Sequence, residues 1–390
     1  MDYRKYQPEY LFTGTEILPG GKVLITDSNG KVISLTDEIE AGEEIIKLAG
    51  MLSPGFVNCH CHLELSHMKG MIAKHLGMTG FLRWVVQNRG FAKELIQEGI
   101  ADGQSEMLRN GIVAVGDISN TTDTALVKSN HQLRYVNFIE ALGFNDSKAA
   151  QTLEHCLSVA KTFTEQTGFS TSIVPHAPYT ISPKLFELIE QESIGKVISM
   201  HNQESMQENE FMFSGTGDFR EIFEDLKMDL SGYRGRDTNS LQFAWKYLDS
   251  SLKTLLIHNV TTTQEDIDIL SAEAKEKFYW CLCVNANLYI NNLLPPIELF
   301  RKNKLPIVLG TDSLASNDSL SILDEIKSIS KAFPSIPQEE LLTWATSYGA
   351  EALNIGNDYG TIEAGKTPGL IQITLENGEI SDGSVVRRIA

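Results

Sequence analysis

Two histidines separated by one residue stand in the stretch Met-Leu-Ser-Pro-Gly-Phe-Val-Asn-Cys-His-Cys-His-Leu-Glu, which ends at Glu64. The apolar residues before them predict a strand over residues 56–62. Because side chains alternate between the two faces of a strand, His60 and His62 point to one side and the two cysteines to the other. Two imidazoles on one face can bind a common metal ion. A structural zinc site is the alternative, but its ligands usually stand two to four residues apart on a turn.

The charge of the chain narrows the class of partner. The 390 residues include 33 basic and 51 acidic ones, which gives a formal net charge of −18. A polyanion such as a nucleic acid would be repelled overall, so we expect a small-molecule substrate. The N-terminal residues lack the apolar core of a signal peptide, and no run of 18 apolar residues occurs. We therefore expect a cytoplasmic protein without a membrane partner.

The cysteine content indicates a reducing compartment. An odd number of cysteines, with two pairs separated by one residue on predicted strands, favours free thiols over a disulfide framework. The five are Cys59, Cys61, Cys156, Cys281 and Cys283.

The order of apolar segments predicts the fold class. Near the start, Asn29-Gly30 separates two short apolar runs, which is typical of a tight hairpin. From about Leu52 onward, apolar strands alternate with longer helical stretches, so the class is α/β with βα units. Their number predicts a closed (β/α)₈ TIM-type barrel. The predicted barrel strands are residues 56–62, 112–118, 134–141, 172–176, 197–201, 255–258, 278–284 and 307–310.

The two ends of the chain are predicted to pair in a small β-sandwich, into which the barrel is inserted. The predicted domains are residues 1–52 for the first part of the sandwich, 53–357 for the barrel and 358–390 for the second part. Helices are predicted over residues 81–100 and 338–353. The long segment between His201 and Tyr247 is a candidate lid.

Further histidines and an aspartate fall at the ends of the predicted strands. His176 closes the fourth strand, His201 the fifth and His258 the sixth, and Asp312 follows the eighth. In a barrel the carboxyl ends of the strands form the active-site face, so these residues converge with the first histidine pair. A single histidine would more often be a hydrogen-bonded core residue. The repeated position at strand ends favours a site.

These motifs together resemble those of the amidohydrolase superfamily, in particular its cytosine deaminase and chlorohydrolase-like branch. The resemblance covers nearly the whole chain. It rests on Pro-Gly-Phe-Val-Asn-Cys-His-Cys-His from Pro54, Val-Pro-His-Ala-Pro-Tyr-Thr from Val174, His-Asn-Gln-Glu from His201, Ile-His-Asn from Ile257 and Leu-Gly-Thr-Asp-Ser-Leu-Ala-Ser-Asn from Leu309.

The resemblance implies a metal-dependent hydrolase that acts on C–N bonds. The implied ligands of one divalent ion are His60, His62, His201 and Asp312. The ion would be zinc, with iron or manganese as alternatives, and it would make hydroxide available at neutral pH by lowering the pKa of water.

The same resemblance implies three catalytic residues. Asp312 would take the proton of the attacking water, and Glu204 would protonate a ring nitrogen of the substrate. His258 would form a hydrogen bond to the attacking oxygen, and ammonia would leave. Each of these residues also has a possible non-catalytic role. Glu204 could be a solvated acid, His258 could bind a carbonyl group at the barrel mouth, and Asp312 could cap a helix near Ser319.

A missing residue bears on the metal count. Related enzymes that open cyclic amides bridge two metals with a carboxylated lysine at the end of the fourth strand, where this chain has Pro175 and His176. This favours one metal ion and deamination. The other zinc deaminase signature, His-x-Glu with Pro-Cys-x-x-Cys, is also missing.

The resemblance extends to enzymes that deaminate the adenine ring of nucleosides, of the S-adenosylhomocysteine or aminodeoxyfutalosine type. Such substrates need acceptors for sugar hydroxyls and a guanidinium for a carboxylate. Arginines are common on protein surfaces, so Arg89 and Arg134 are the weaker candidates for binding a carboxylate. The candidate substrate-binding residues are Glu64, Arg89, Arg134, His176, Asn287, Ser316 and Asn317.

Two other classes of function stay open. The same fold and metal site suit a hydrolase of a halogenated or amidated heterocycle, and a relative that has lost its metal would be a binding protein. The sequence departs from its relatives at Cys283-Val-Asn-Ala-Asn287, which weakens the base contacts inferred there, and at Thr367-Pro-Gly369. Relatives commonly form dimers or larger assemblies, so a homo-oligomer is possible.

Overall fold

The computed structural model describes residues 3–88, 90–230 and 233–390. Its strands are β1 (Tyr3–Phe12), β2 (Ile17–Pro19), β3 (Lys22–Asp27), β4 (Val32–Asp37), β5 (Ile45–Pro54), β6 (Phe56–Cys61), β7 (Ile112–Ser119), β8 (Arg134–Ala141), β9 (Thr171–Pro175), β10 (Val197–Asn202), β11 (Lys253–His258), β12 (Phe278–Leu282), β13 (Ile307–Leu309), β14 (Leu370–Ile373) and β15 (Val386–Arg388).

Helices fill most of the connections between these strands. They are α1 (Glu38–Ala41), α2 (Gly77–Gln87), α3 (Lys93–Arg109), α4 (Ala125–Lys128), α5 (Ala149–Thr167), α6 (Pro183–Glu192), α7 (Met206–Ser214), α8 (Asp218–Asp225), α9 (Ser240–Ala244), α10 (Gln264–Asp268), α11 (Ala272–Lys277), α12 (Val284–Asn291), α13 (Ile297–Lys302), α14 (Ile322–Ala332), α15 (Gln338–Ala345) and α16 (Ser347–Ala352). None of the helices in the described ranges is long and apolar enough to cross a bilayer.

Both ends of the chain share one seven-stranded sheet, in the order β15-β14-β5-β1-β3-β4 with β2 beside β1. The predicted hairpin joins β3 to β4, and Gly30 takes a φ of 82° at its turn, which glycine adopts without strain. In the C-terminal part, Leu370 of β14 pairs with Pro54 of β5. The sheet therefore ends where the barrel begins, since β6 starts at Phe56.

The strands predicted for the barrel are all present. They form two four-stranded parallel sheets, β6-β7-β8-β9 and β10-β11-β12-β13, rather than one continuous ladder. Hydrogen bonds cross both seams at the carboxyl ends: the amide of His201 donates to the His176 carbonyl at 2.9 Å, and that of Asp312 to the His60 carbonyl at 3.0 Å. The eight strands thus surround one core, in the TIM-type arrangement that the sequence predicts.

Apolar content explains why these strands lie at the centre. Every residue of β6, β7, β10 and β12 is buried. Parallel strands covered by helices on one side and by barrel side chains on the other are buried on both faces. The five cysteines belong to this interior, where all are buried and none is disulfide-bonded, as the sequence predicts.

Two predicted helices are each divided. The segment predicted over residues 81–100 contains α2 and α3, because the chain after Asn88 includes Gly90 and is extended at Ala92, with φ −61° and ψ 140°. Glycine is a poor helix former, which favours a break. The segment 338–353 contains α15 and α16, separated by Thr346 with φ −131° and ψ −87°.

A fully buried ion pair supports the loop that follows β6. The ammonium group of Lys128 lies 2.6 Å from a carboxylate oxygen of Asp117, and both side chains are 0% exposed. Lys128 also donates to the side-chain oxygen of Asn137 at 3.0 Å. The second oxygen of Asp117 accepts the amide hydrogen of Leu63 at 2.9 Å, directly after His62. The pair therefore fixes the backbone next to the histidine motif.

We predict that Lys128→Met lowers the free energy of unfolding by about 3–5 kcal/mol, because it leaves the Asp117 carboxylate buried and unpaired. Urea denaturation followed by circular dichroism measures the loss. Lys161→Met is the matched control, since Lys161 is 74% exposed, and it should change stability by no more than about 0.5 kcal/mol. Equal losses of stability in the two variants would contradict a stabilising role for the buried Lys128–Asp117 ion pair.

Candidate active site

Four side chains from three strand ends form a cluster at the barrel mouth. The Nε2 atoms of His62 and His201 are 3.2 Å apart. A carboxylate oxygen of Asp312 lies 3.7 Å from the Nε2 atoms of both His60 and His62. His60, His62 and His201 can offer ligand atoms within 4.8 Å of one another. Residues from β6, β10 and the end of β13 thus meet around one point.

The backbone at the mouth adopts a conformation that non-glycine residues rarely take. Gln203, His258, Asn259 and Asp312 have φ values of 51°, 74°, 58° and 57°. Such conformations cost free energy and persist where the surrounding structure enforces them, commonly at functional sites. Here they lie at the end of β11 or directly after β10, β11 and β13, so the strained turns direct the side chains of the cluster.

The cluster fits a divalent metal ion. Both ring nitrogens of His60 are buried and have no hydrogen-bond partner in the protein. Buried polar atoms are normally hydrogen-bonded, so a ligand is the natural partner of this imidazole. Three imidazoles and one carboxylate are a donor set that zinc accepts. Gly310 permits the close packing, because a Cβ atom there would lie 2.8 Å from the Cβ of His60.

The protonation states suit metal binding. Burial lowers the pKa of His62, and burial together with His176 lowers the pKa of His201 well below its usual value. Burial alone would raise the pKa of Asp312, but His60 and His62 bring it well below its usual value. Neutral imidazoles and an ionised carboxylate are the forms that bind metals.

Glu204 is a buried acid at the edge of the cluster. It is 6% exposed, which excludes the alternative of a solvated surface acid. Burial, followed by the nearby Glu208, raises its pKa well above the usual value. Glu208 also fixes its backbone, since its carboxylate accepts the amide hydrogens of Gln203 at 2.9 Å and Glu204 at 2.7 Å. A carboxyl group whose burial favours the protonated form is therefore held beside the cluster.

His258 lies beside Glu204 at the cluster. Its Nδ1 lies 2.9 Å from the amide oxygen of Asn287, and its Nε2 lies 3.6 Å from a carboxylate oxygen of Glu204. Burial lowers the pKa of His258 to about 4, so the ring is neutral at pH 7. With Nδ1–H donating to Asn287, Nε2 carries the free lone pair. The partner is thus an amide side chain, not a carbonyl group of the barrel backbone.

The cluster opens into a narrow cavity with a free volume of about 80 Å³. This volume is below that of typical preformed small-molecule sites, so the described form of the site is tight. Its wall has a polar side, built around the cluster, and an apolar side. The residues on the wall are His62, Leu65, Met78, Phe81, Leu82, Val85, Asn120, Glu140, His176, Tyr179, His201, Glu204, His258, Ile290, Asp312 and Ser313.

The family model of the amidohydrolase family matches residues 51–385. The chain is an amidohydrolase. Enzymes of this family are metal-dependent hydrolases, in agreement with the cluster.

Two relatives of this amidohydrolase have named activities. One is adenosine deaminase from Helicobacter pylori, 27% identical over 327 residues, which cover 81% of this chain and 77% of the relative. The other is aminodeoxyfutalosine deaminase from Nitratiruptor, 27% identical over 344 residues, which cover 84% and 80%.

Solved structures have the same fold. Helicobacter pylori aminofutalosine deaminase in complex with methylthio-coformycin has a TM-score of 0.82 at 23% identity and covers 96% of this chain and 92% of that one. Atrazine chlorohydrolase from Arthrobacter aurescens, complexed with zinc, has a TM-score of 0.72 at 18% identity and covers 94% and 86%. At these identities the likeness shows the fold alone.

Within the amidohydrolase site, the predicted substrate-binding residues occupy different positions. His176 lies on the cavity wall, where its Nδ1 is 2.8 Å from the hydroxyl of Thr180. Asn287 lies behind His258 and contacts its ring instead of the cavity. Arg89 is outside the described residues.

Ser316 and Asn317 support the metal cluster from behind. The hydroxyl of Ser316 donates to the second oxygen of Asp312 at 2.8 Å. The amide group of Asn317 donates to the Thr311 carbonyl at 2.8 Å and to Glu325 at 3.1 Å. Ser316 thus contacts Asp312 directly, and Asn317 contacts the backbone just before it. The sequence analysis predicts both as substrate-binding residues, but neither lies on the cavity wall. Asp312 is also no helix cap, because Ser321 caps α14.

The prediction for Arg134 is wrong. Arg134 is the first residue of β8, at the amino end of the strand, and its guanidinium stacks on Phe169 at 5.0 Å. The mouth is at the carboxyl end of this strand, and each residue adds about 3.3 Å, so the side chain lies at the opposite end of the barrel.

Several wall residues were not predicted. Glu140 is the second-last residue of β8, so the rule that located the histidines at strand ends would also have found it.

Met78, Phe81 and Val85 lie on one face of α2, because residues three and four apart share a helix face. The cover of the mouth therefore comes from the first βα connection, whereas the sequence predicts a lid from the segment after His201.

Removal of a ligand should abolish metal binding. We predict that His201→Ala and Asp312→Ala reduce the bound metal from about one ion per chain to a small fraction of that. Inductively coupled plasma mass spectrometry on protein purified after zinc-supplemented expression measures the content. His155→Ala is the control, because His155 is exposed on α5. Full metal content in either ligand variant would reject the cluster as the site.

Proposed function

We propose that this amidohydrolase releases ammonia from the adenine ring of a nucleoside, with one zinc ion held by His60, His62, His201 and Asp312. The observation that carries the proposal is Glu204, a buried acid of raised pKa beside His258 in the same cavity as the cluster. Relatives that align over about four fifths of the chain are named adenosine and aminodeoxyfutalosine deaminases, which supports this reaction type.

The bound ion would polarise water and lower its pKa toward 7. Neutral His258 accepts a hydrogen bond from the attacking water at Nε2, because its Nδ1–H is donated to Asn287. Asp312 accepts the proton that the water loses. Glu204 donates its proton to the ring nitrogen next to the attacked carbon, and Tyr179, 3.4 Å away, donates a hydrogen bond to the carboxyl group. Asp312 then passes the proton that it took from the water to the amino group, which leaves as ammonia. The remaining proton of the attacking oxygen returns to Glu204 as the carbonyl group of the product forms.

The charge and the cysteines support the proposed setting. With a net charge of −18, we propose an enzyme that acts on a small molecule and has no nucleic-acid or membrane partner. We propose the cytoplasm as its compartment, because all five cysteines are free. Assembly into a homo-oligomer stays a prediction.

A nucleoside panel tests the reaction. Purified enzyme should release ammonia from at least one of adenosine, 5′-methylthioadenosine, S-adenosylhomocysteine and aminodeoxyfutalosine, measured with a coupled ammonia assay. Pterins and chlorinated triazines serve as comparison substrates. Chloride released from a triazine without ammonia from any nucleoside would instead establish a chlorohydrolase, and binding without turnover would favour a binding protein.

Glu204→Gln should retain the metal and lose about 10²- to 10⁴-fold in kcat, because an amide cannot deliver the proton. Steady-state ammonia release and metal analysis give the two readouts. The matched control is Glu210→Gln, since Glu210 is an exposed acid on α7, the helix that follows Glu204. Wild-type kcat in the Glu204 variant would remove its role in proton transfer.

A further inference from the structure

Three polar side chains on the cavity wall have no role in the reaction described above. Asn120 follows β7, Glu140 is the second-last residue of β8 and His176 follows β9. All three face the same cavity as the metal cluster. They form a polar corner, since their strands are neighbours in the sheet.

The carboxylate in this corner is only partly hydrogen-bonded. One oxygen of Glu140 accepts from the side-chain amide of Asn120 at 3.0 Å. The other oxygen is buried and has no hydrogen-bond partner, and the residue is only 6% exposed. An ionised carboxylate has about four acceptor sites. A buried carboxylate with unused capacity indicates that donors are supplied by a ligand.

The nearby Glu64 differs in this respect. Its two oxygens accept the amide hydrogens of Asn120 and Thr121 and the hydroxyl hydrogen of Thr121, at 3.1–3.2 Å. Glu64 is also absent from the cavity wall. Asn120 links the two acids, with its backbone bonded to Glu64 and its side chain to Glu140. Glu64 therefore builds the loop, and Glu140 has the capacity to bind a ligand.

The remaining walls offer little to a hydroxyl group. Met78, Phe81 and Leu82 of α2 are apolar. Among the described residues of the wall outside the cluster, the hydroxyl of Tyr179 already donates to Glu204, and Ser313 is 3.0 Å from the hydroxyl of Ser316. A sugar bound in this cavity would thus find its acceptor in the polar corner.

We propose that Glu140, oriented by Asn120 and assisted by His176, binds the vicinal hydroxyls of the substrate's sugar. The inference rests on the proposed function and makes the site specific for ribonucleosides over their deoxy forms. A hydroxyl bonded to a charged acceptor contributes roughly 10- to 100-fold to affinity.

A purely structural role is the rival explanation, because the free oxygen of Glu140 lies 3.4 Å from Nδ1 of His201. That nitrogen, however, lies 2.9 Å from the His176 carbonyl, to which it donates its hydrogen. Glu140 is therefore not needed to orient the metal ligand. The two roles differ in what a substitution does to metal content and to substrate preference.

The experiment compares kcat/KM for adenosine, 2′-deoxyadenosine and 3′-deoxyadenosine in the wild type, Glu140→Gln and Glu64→Gln. The wild type should prefer adenosine over at least one deoxynucleoside by about tenfold or more. Glu140→Gln should lose most of this preference, mainly through a lower kcat/KM for adenosine, and keep its metal. Glu64→Gln should keep the preference. Asn120→Ala is a second variant, which should also weaken the preference and replaces Glu140→Gln if that variant does not fold.

Three results would overturn the inference. An equal loss on all three nucleosides, or a loss of metal, in Glu140→Gln would show that the residue only supports His201. A wild type that deaminates nucleosides without preference for the hydroxyls would reject sugar recognition at this corner. A wild type that releases no ammonia from any nucleoside would reject the proposed function itself, and the assignment with it.

Discussion

The carbonyl group of His60 is the point on which the site depends. It accepts the amide hydrogens of Thr311 and Asp312, both at 3.0 Å, and so joins the first and last strands of the barrel. This requires Asp312 to take a φ of 57°, which turns its carboxylate toward the histidines. The backbone bonds that join these two strands therefore also place Asp312 beside the histidines.

Burial then decides what the assembled groups do. Removal from water disfavours charge, so it lowers the pKa values of the histidines and raises that of Glu204. Asp312 escapes this trend because the imidazoles around it favour its ionised form. The surroundings of these two carboxyl groups thus favour opposite forms, the protonated one for Glu204 and the ionised one for Asp312, which is the division of labour that proton transfer in hydrolysis needs.

The sequence was sufficient for the fold and for predicting that His60, His62, His201 and Asp312 meet at one end of the barrel, since apolar strands recur with a histidine or an aspartate at their carboxyl ends. Applied to Arg134, the first residue of β8, the same rule would have excluded it from the substrate-binding residues, because the site lies at the carboxyl ends of the strands. What sequence could not distinguish was Glu64 from Glu140. Both are acids near strand ends, and only the folded backbone shows that Asn120 and Thr121 saturate the first and leave the second free.

Each reacting side chain has one polar partner on the side away from the cavity. Ser316 donates to Asp312, Asn287 contacts the ring of His258, and the carboxylate of Glu208 holds the backbone of Glu204. Ser316 lies in the loop after β13, whereas Glu208 and Asn287 lie in the first turns of α7 and α12. Their spacing along the chain therefore follows no single period. These partners fix the orientation of the reacting side chains without touching the substrate. The metal chemistry can therefore stay the same while substitutions on the apolar face of α2 and in the polar corner change the substrate.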